Sequence, residues 1–545
     1  MIAWLEIDGG ADGVARAYYR DQAARAHLTT PLAYPALDSI SAIRRPLSIP
    51  GIDTVASLAA SMTATLDNAD GKITAIMGQR PPMRAAARVM TPQGEVFRGI
   101  VTAVELGDAA TIDIEAGLER PLSDAVALRK STAWGGYRDV RTLPWGYGSV
   151  TITPIQYSDD QRVFVLLDHP IAGVDAVTRD NVATDAFEWT NDVDSTGHAC
   201  SFIELAEPLA EGEQLAVTLR GRMHPDTGRL LVSPAEILHD VLANLGGAPV
   251  AWADLDDYRT ETAEIAIGGV IDDGAASIRA TLDRIVQSAG GAWSAGMPGI
   301  ALTWPPKADD SAPAVAVTPL SATDVRAECS HDGIRTVLRV LFDYDNAVGR
   351  HRRAIQLQAP GAIKDYGVLE LEWDAGWLRS PRDAEALGRR MLAWLARPRW
   401  RVSFTRGFAD IKSGAWADVD HPRSPISGRH RLIDAELDLS VPALRCALES
   451  PVGPEPEIEM TRLSTAFDPV VPAGVTVEVG ANEIIYTVRG DDGAVLAGAL
   501  VTLNGTTTRV AGSDGKVSFS PVQRGRQHLL IQASGRPTTE VWVIV

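Results

Sequence analysis

Five places in the sequence carry side chains of the types and spacings used in catalysis or metal binding. Glu236-Ile237-Leu238-His239 has the Glu-x-x-His spacing of di-iron helices, which sets both ligands on one helix face. Such a centre needs a second copy and two further glutamates. Here Ser233-Pro234-Ala235-Glu236 reads as a capping box with proline at the first helical position, so Glu236 is a cap and His239 an exposed neighbour. Asp343-Tyr344-Asp345-Asn346 with Gly349 resembles half of a calcium loop. The twelfth position holds Ala354 instead of a bidentate glutamate, and His351-Arg352-Arg353 would put positive charge inside the loop. It reads as a turn between strands.

Asp254, Asp256 and Asp257 form a carboxylate group of the sort used in acid–base chemistry, but they lie on a polar stretch that reads as a solvated turn between helices. His198 and Cys200 are two apart, and a lone pair of ligands makes no metal site. Asp168-His169 has the residue types of a dyad. Neighbours in a strand point to opposite faces, and no serine nucleophile is placed beside them. No P-loop, Gly-x-Ser-x-Gly, His-Glu-x-x-His or dinucleotide-binding fingerprint occurs. No catalytic, cofactor-binding or metal residue is therefore assigned, and no cofactor is expected.

The elements that surround these residues are mostly strands. Met62-Thr63-Ala64-Thr65-Leu66 alternates and runs into the turn Asp67-Asn68-Ala69-Asp70-Gly71. Ala87–Met90 and Gly94–Gly99 flank a Thr91–Gly94 turn, the pattern of a hairpin. In Ala110–Ala116 the residues Ile112 and Ile114 share one face, Asp113 and Glu115 the other, as in an antiparallel sheet with one wet side. Between 131 and 220, Pro and Gly interrupt every segment and exclude long helices.

Helices are expected in two places. Ile237, Leu238, Val241, Leu242 and Leu245 form one apolar stripe; Ile278, Leu282, Ile285, Val286 and Ala289 form another, ended by Gly290-Gly291. Ala292–Ser294 and Ile300–Trp304 read as a hairpin across Gly296–Gly299. A third helix starts at Ser380-Pro381-Arg382-Asp383 and buries Ala384, Leu387, Met391, Trp394 and Leu395. Trp400–Thr405 alternates as a half-buried strand, and Asp410–Pro422 and Arg429–Leu439 read as further strands.

Pro451, Pro454, Pro456, Pro469 and Pro472 mark a semi-extended linker. After it come about seven short strands, with turns at Asp491-Asp492-Gly493, Asn504-Gly505 and Ser513-Asp514-Gly515 and a core position at Trp542. The expected modules are 1–130, 131–220, 221–309, 310–450, 451–479 and 480–545. The fold class is mainly β with a small α/β insertion and a C-terminal β-sandwich.

Composition narrows the function classes. The 545 residues include 45% hydrophobic and 22% charged residues, which rules out a wholly disordered or fibrous chain. A formal charge of −19 argues against a general nucleic-acid or anionic-membrane binder, since phosphate contacts need a basic surface. Only six of the 51 basic residues are lysine, a coding bias without functional content. The three cysteines, Cys200, Cys329 and Cys446, are odd in number and far apart; they read as small buried or half-buried residues. The start, Met1–Asp8, lacks the basic and apolar regions of a signal peptide, and no apolar run reaches membrane-spanning length.

Several segments, taken in order, resemble the baseplate hub proteins of tailed bacteriophages, related tail-like particles and gene transfer agents. Thr65–Gly71 followed by Val96-Phe97-Arg98-Gly99-Ile100-Val101 is similar to the N-terminal barrel of phage tail proteins. Leu143-Pro144-Trp145-Gly146-Tyr147-Gly148, then Pro154, then Leu167-Asp168-His169-Pro170-Ile171, is similar to the stretch that follows that barrel. Ser413–Pro422 resembles a late strand pair of the second barrel, with Ala417-Asp418 in place of the usual Gly-Asp.

The resemblance covers roughly 50–440 and implies two tail-tube-like β-barrels, an intermediate β domain and a helical insertion beside the second barrel. It further implies a homotrimer whose six barrels adapt a sixfold tail tube to a threefold tip, in a particle assembled in the bacterial cytoplasm. The implied partners are the tail tube or distal tail protein, the tape-measure protein and fibre or tip proteins, with DNA passing through a channel without specific binding. Residues 480–545 resemble a carboxypeptidase regulatory-like or Ig-like sandwich, from Gly498–Leu503 and Ser513–Phe519. That module serves either to contact a partner or host-cell surface or as a spacer. The competing class is a tail-associated cell-wall hydrolase or host-surface adhesin with accessory β modules.

Overall fold

The computed structural model describes residues 2–8, 14–20, 22–28, 32–44, 61–78, 80–92, 94–116, 121–131, 141–180, 182–246, 255–294, 300–306, 314–331, 333–407, 411, 413–439, 443–465, 476–480, 483–487, 498–504, 507–514, 516–520, 526–532 and 539–544. The chain is mainly β, 48% strand and 15% helix. It divides into two compact units, Met1–Leu463 and Ser464–Val545.

The first large sheet has eight strands. Its order is Leu32–Tyr34, Arg16–Tyr19, Trp4–Ile7, Ala86–Thr91, Gly94–Glu105, Ala109–Ala116, Ser61–Asp67 and Leu37–Ile40. The alternation read from the sequence is the one observed: Met62, Ala64 and Leu66 are buried between more exposed neighbours, as are Ile112 and Ile114. The hairpin closes at Thr91 and Gly94. A short helix, Lys72–Met77, follows the Asp67–Gly71 turn and was not legible in the sequence, because it is under two turns long.

The two edge strands of this sheet, Leu32–Tyr34 and Leu37–Ile40, are consecutive in the chain and separated only by Pro35-Ala36. The sheet therefore curls until its edges adjoin at a corner. No ladder closes it into a barrel among the described residues. Leu32–Tyr34 is bonded along one edge to its parallel partner, Arg16–Tyr19, and Leu37–Ile40 along one edge to Ser61–Asp67; their other edges form no ladder with each other.

The second large sheet repeats this arrangement. Its main path runs Ala314–Val317, Trp416–Val419, Gly428–Asp438, Ala443–Pro451, Arg399–Gly407 and Thr323–Ser330. Again one edge strand, Ala314–Val317, is parallel to its neighbour, and again the opposite edge strand is the next in sequence. The sheets are joined directly. Ile43-Arg44, just beyond the corner of the first, pairs with Leu437 and Glu436 of the second. Among the described residues of 410–422, strand content is confined to Trp416–Val419.

Between them, residues 149–222 form two four-stranded sheets over a core of Val150, Phe164, Leu166, Ile203, Val217 and Leu219. The helical module follows. Pro234–Asn244 and Ile278–Ser288 bury the stripes read from the sequence, and Gly291–Ser294 pairs with Ile300–Thr303. Helix Pro381–Leu395 is capped by Ser380, whose side chain accepts from Asp383 N, and covers the sheet of Glu370–Ala375, Val337–Asp345, Arg350–Gln358 and Glu459–Thr465. That last strand lies inside the stretch read as linker; three prolines end at 456, and the strand takes up the free edge beyond them.

The second unit contains a three-stranded sheet, Thr476–Gly480, Glu483–Thr487 and Lys516–Phe519. It also contains a four-stranded one, Thr507–Val510, Leu500–Leu503, Arg526–Gln532 and Thr539–Ile544. Asn504 is left-handed at φ 49°, as a turn there requires. Trp134–Tyr137, Gly296–Gly299, Asp410, Pro469, Pro472, Asp491–Gly493, Gly505, Gly515 and the Trp542 side chain lie outside the described residues.

Candidate functional site

The segments that resembled the tail-protein stretch converge on one place. Strand Trp145–Tyr147 pairs antiparallel with Gly269–Ile271, and His169 closes over it. Asp168 N donates to Pro144 O at 2.9 Å, and Gly146 N donates to His169 Nε2 at 3.1 Å. Trp145 meets the His169 ring edge-on at 5.3 Å. The chain then turns at Gly148, left-handed at φ +62°, whose carbonyl accepts from Gly221 N at 2.7 Å. A β-carbon on Gly221 would lie 2.3 Å from Gly146 O. The glycines thus let three backbone segments cross where side chains would hold them apart.

The junction has a polar centre. Asp240, on helix Pro234–Asn244, accepts from the Tyr147 hydroxyl at 2.8 Å, from Arg222 Nε at 2.7 Å and from Asn244 Nδ2 at 3.0 Å. Arg222 lies 4.4 Å over the Trp145 ring. Burial and the adjacent Asp240 carboxylate push the Tyr147 hydroxyl well above its ordinary value, so it stays a donor. The intermediate sheets and the helical module meet at this point, and the Tyr147–Trp377 ring contact at 6.2 Å brings in the turn at the end of strand Glu370–Ala375.

His169 is fully buried and pushed down to about 3, first by burial and then by the charge of Arg222. It is neutral when folded, accepting at Nε2 and donating from Nδ1 to Pro170 O. Unfolding releases it to its ordinary value near 6.5. Below that pH the unfolded chain takes up a proton that the folded chain refuses, so stability falls by up to about 1.4 kcal/mol per pH unit until about pH 3. His430, also held down by burial, acts in the same sense. Denaturant unfolding at pH 7 and pH 5 should show the wild type losing about 2 kcal/mol more than His169→Gln. Equal losses in the two proteins would refute the assignment.

A second cluster gathers the other sequence candidates around a residue the sequence did not single out. Arg129 donates from Nε and Nη2 to Asp168 Oδ1 at 2.9 and 2.6 Å, from Nη1 to Asp194 Oδ2, and from Nη2 to Cys200 Sγ at 3.0 Å. His198 Nε2 is 3.5 Å from Asp168 Oδ1. Burial opposes ionisation of Asp194, but the Thr196 hydroxyl, Arg129 and the backbone N–H groups of His198 and Thr196 outweigh it and hold the carboxyl well below its usual range.

Burial and the neighbouring Asp168 push the Cys200 thiol up to about 12. A buried, protonated thiol is a poor nucleophile, so this Cys–His–Asp set is a structural clasp. It pins Leu128–Lys130 onto the intermediate sheets. Arg129 carries no local pattern that marks it. Its partners lie 39, 65 and 71 residues away.

The remaining candidates are dispersed. Glu236 pairs with Arg229 and makes no capping bond; Ser233 is the N-cap but its side chain caps nothing. His239 is half-buried, on a helix most of whose residues are buried. Asp343 and Asp345 are taken by Arg379 at 2.9 Å and Arg352 at 2.7 Å, so arginines occupy the would-be calcium loop. Asp256 and Asp257 open a short helix, Asp256–Glu261, in which Asp256 pairs with Arg259; the stretch is a helix turn, not a loop. Asp254 lies outside the described residues.

Cys200 and Cys446 are buried, whereas Cys329 is exposed on the edge strand Thr323–Ser330. Among the described residues no three His, Cys, Asp or Glu side chains are arranged to hold a metal. None of the described helices is long and apolar enough to cross a membrane.

No protein-family profile matches the chain, and no curated protein matches it. Solved structures do. A tail protein from Neisseria meningitidis MC58 aligns at TM-score 0.38 and 10% identity over 82% of this chain and 96% of its own. A chain of the native gene transfer agent virion aligns at TM-score 0.38 and 12% identity, over 62% of this chain and 90% of its own. The 43 kDa tail protein of prophage MuSo2 from Shewanella oneidensis aligns at TM-score 0.33 and 8% identity over 75% and 97%. This chain is similar to these three phage-type tail and particle proteins.

Proposed function

We propose that the chain is a structural subunit of a phage-like tail, the hub at the distal tip. The observation that carries the reading is the repeated curled sheet. Two large sheets share a parallel pair at one edge and an opposite edge formed by the next strand in sequence, and strand Ile43-Arg44 stitches them together. A protomer with two such sheets supplies six in a trimer, the number needed to meet a sixfold tube.

In this reading the partners are the tube or distal tail protein, the tape-measure protein and fibre or tip proteins, while 480–545 contacts a fibre or host surface. The boundaries proposed above separate these roles. Acidic side chains face the axis, so that DNA passes without sticking. The chain acts without catalysis: Asp168 and Asp194, the carboxylates brought together, are buried under Arg129 rather than open to a substrate.

Light scattering on the purified full chain should give three protomers per particle, and negative-stain images should show a threefold ring. A strict monomer that degrades cell-envelope polymer would sink the hub and favour the hydrolase.

A further inference from the structure

The outer edge of the intermediate module is built as an open template. Strand Phe187–Val193 is the last in its sheet and, among the described residues, pairs only with Ala199–Leu205. The backbone bond from Asp194 N to His198 O sets the phase of that ladder. Residues of even number bond inward, so the peptide groups of Phe187, Trp189 and Asn191 point outward. Six of the seven residues are exposed, Trp189 to 38% and Val193 to 57%. Five residues before this strand, Val182 is exposed to 69% on the edge of the companion sheet. The edge is held in place: Asn191 Nδ2 donates to Ile171 O at 2.9 Å and its Oδ1 accepts from Ile171 N at 2.8 Å.

The surroundings are strongly acidic. Residues 155–215 of this module contain thirteen Asp and Glu but two Arg, a strongly acidic stretch within a chain of net charge −19. Both arginines are already engaged, Arg162 with Glu204 and Arg179 with Glu213. Asp185, Glu188, Asp192, Glu207 and Glu211 face solvent around the edge. The charge decides the occupant. A second copy of the same edge would bring Glu188 and Asp192 of both chains together, and like charges across a strand pair repel.

We propose that this edge binds an extended basic segment of another polypeptide by strand addition. Main-chain bonds run to Trp189 and its outward neighbours. Apolar side chains of the segment lie on the Trp189–Val193 face and basic ones on the Glu188–Asp192 face. The inference does not depend on the hub reading.

The test uses the full chain and two fluorescein-labelled peptides of equal charge. One is Lys-Val-Lys-Val-Lys-Val-Lys; the other, Lys-Pro-Lys-Val-Lys-Pro-Lys, cannot form a continuous strand. Fluorescence anisotropy at low salt should show at least tenfold tighter binding of the first. The double variant Glu188→Lys, Asp192→Lys should weaken it at least tenfold while circular dichroism stays unchanged. Hydrogen exchange on the wild type should show peptide-dependent protection at 187–191.

Equal binding of both peptides means charge attraction only and overturns the proposal. Protection that is absent from 187–191 overturns it as well. Protection that rises with protein concentration alone would assign the edge to a second copy.

Discussion

Arg129→Met is expected to destabilise the unit Met1–Leu463 by about 3–5 kcal/mol, the cost of leaving a buried ion pair half-made. The side chains of Asp168 and Asp194 are 3% and 0% exposed, and Arg129 is the cation on both. Arg129→Lys should recover only part of the loss, because an ammonium is a point charge and lacks the fork that reaches both carboxylates and Cys200.

The pH dependence has a defined sign. Asp194 has a depressed value in the fold, so its contribution is present above the ordinary carboxylate range and disappears as pH falls through the folded value. In Arg129→Met that folded value rises, and the buried carboxyl can protonate at modest acidity. The deficit against wild type should therefore shrink between pH 7 and pH 4.5. Urea unfolding at the two pH values measures it. A deficit under about 1 kcal/mol at pH 7, or one that grows on acidification, would show that the clasp is not electrostatic.

Gly221→Ala should cost about 3 kcal/mol or more by overpacking. Its β-carbon would stand 2.3 Å from Gly146 O, 2.6 Å from Gly146 C and 3.0 Å from Tyr147 N. All three are backbone atoms, so no rotamer change gives relief. The crossing strands must separate, which also weakens the Gly221 N to Gly148 O bond and the seat of Tyr147 on Asp240. The matched control is Gly361→Ala in helix Pro360–Tyr366, where a β-carbon meets nothing within 4 Å and alanine is the better helix former. Thermal unfolding should place Gly221→Ala well below wild type and Gly361→Ala at or above it. Similar melting for the two variants would mean that the junction is loosely packed.

The junction explains why the Trp-Gly-Tyr-Gly stretch stood out in the sequence without carrying chemistry. Its glycines serve close approach, Tyr147 reaches Asp240, and Trp145 backs Arg222. The Asp168-His169 pair divides the same way, with each residue serving a different cluster. Asp168 turns to Arg129, while His169 turns to Gly146; both lie in a bend between strands Val163–Val165 and Ile171–Arg179, so it is the bend and not strand alternation that separates them.

Local order was legible in the sequence. The alternation at Met62–Leu66 and Ile112–Ile114, the Thr91–Gly94 hairpin, the stripes of helices Ile278–Ser288 and Pro381–Leu395 and the Ser380 cap all rest on contacts within a few residues. Side-chain periodicity and capping bonds encode such contacts directly. The same logic misled at Glu236, whose capping partner is displaced by an arginine seven residues earlier.

Only the tertiary structure decided the rest. It set which strand lies beside which, the corner at Pro35-Ala36, the stitch of Ile43 to Leu437, and the gathering of Arg129, Asp168, Asp194 and Cys200. These depend on strand order and register between segments tens to hundreds of residues apart. Alternation tells a strand which face to bury but not which partner to choose, so that choice is made by the packing of the whole unit.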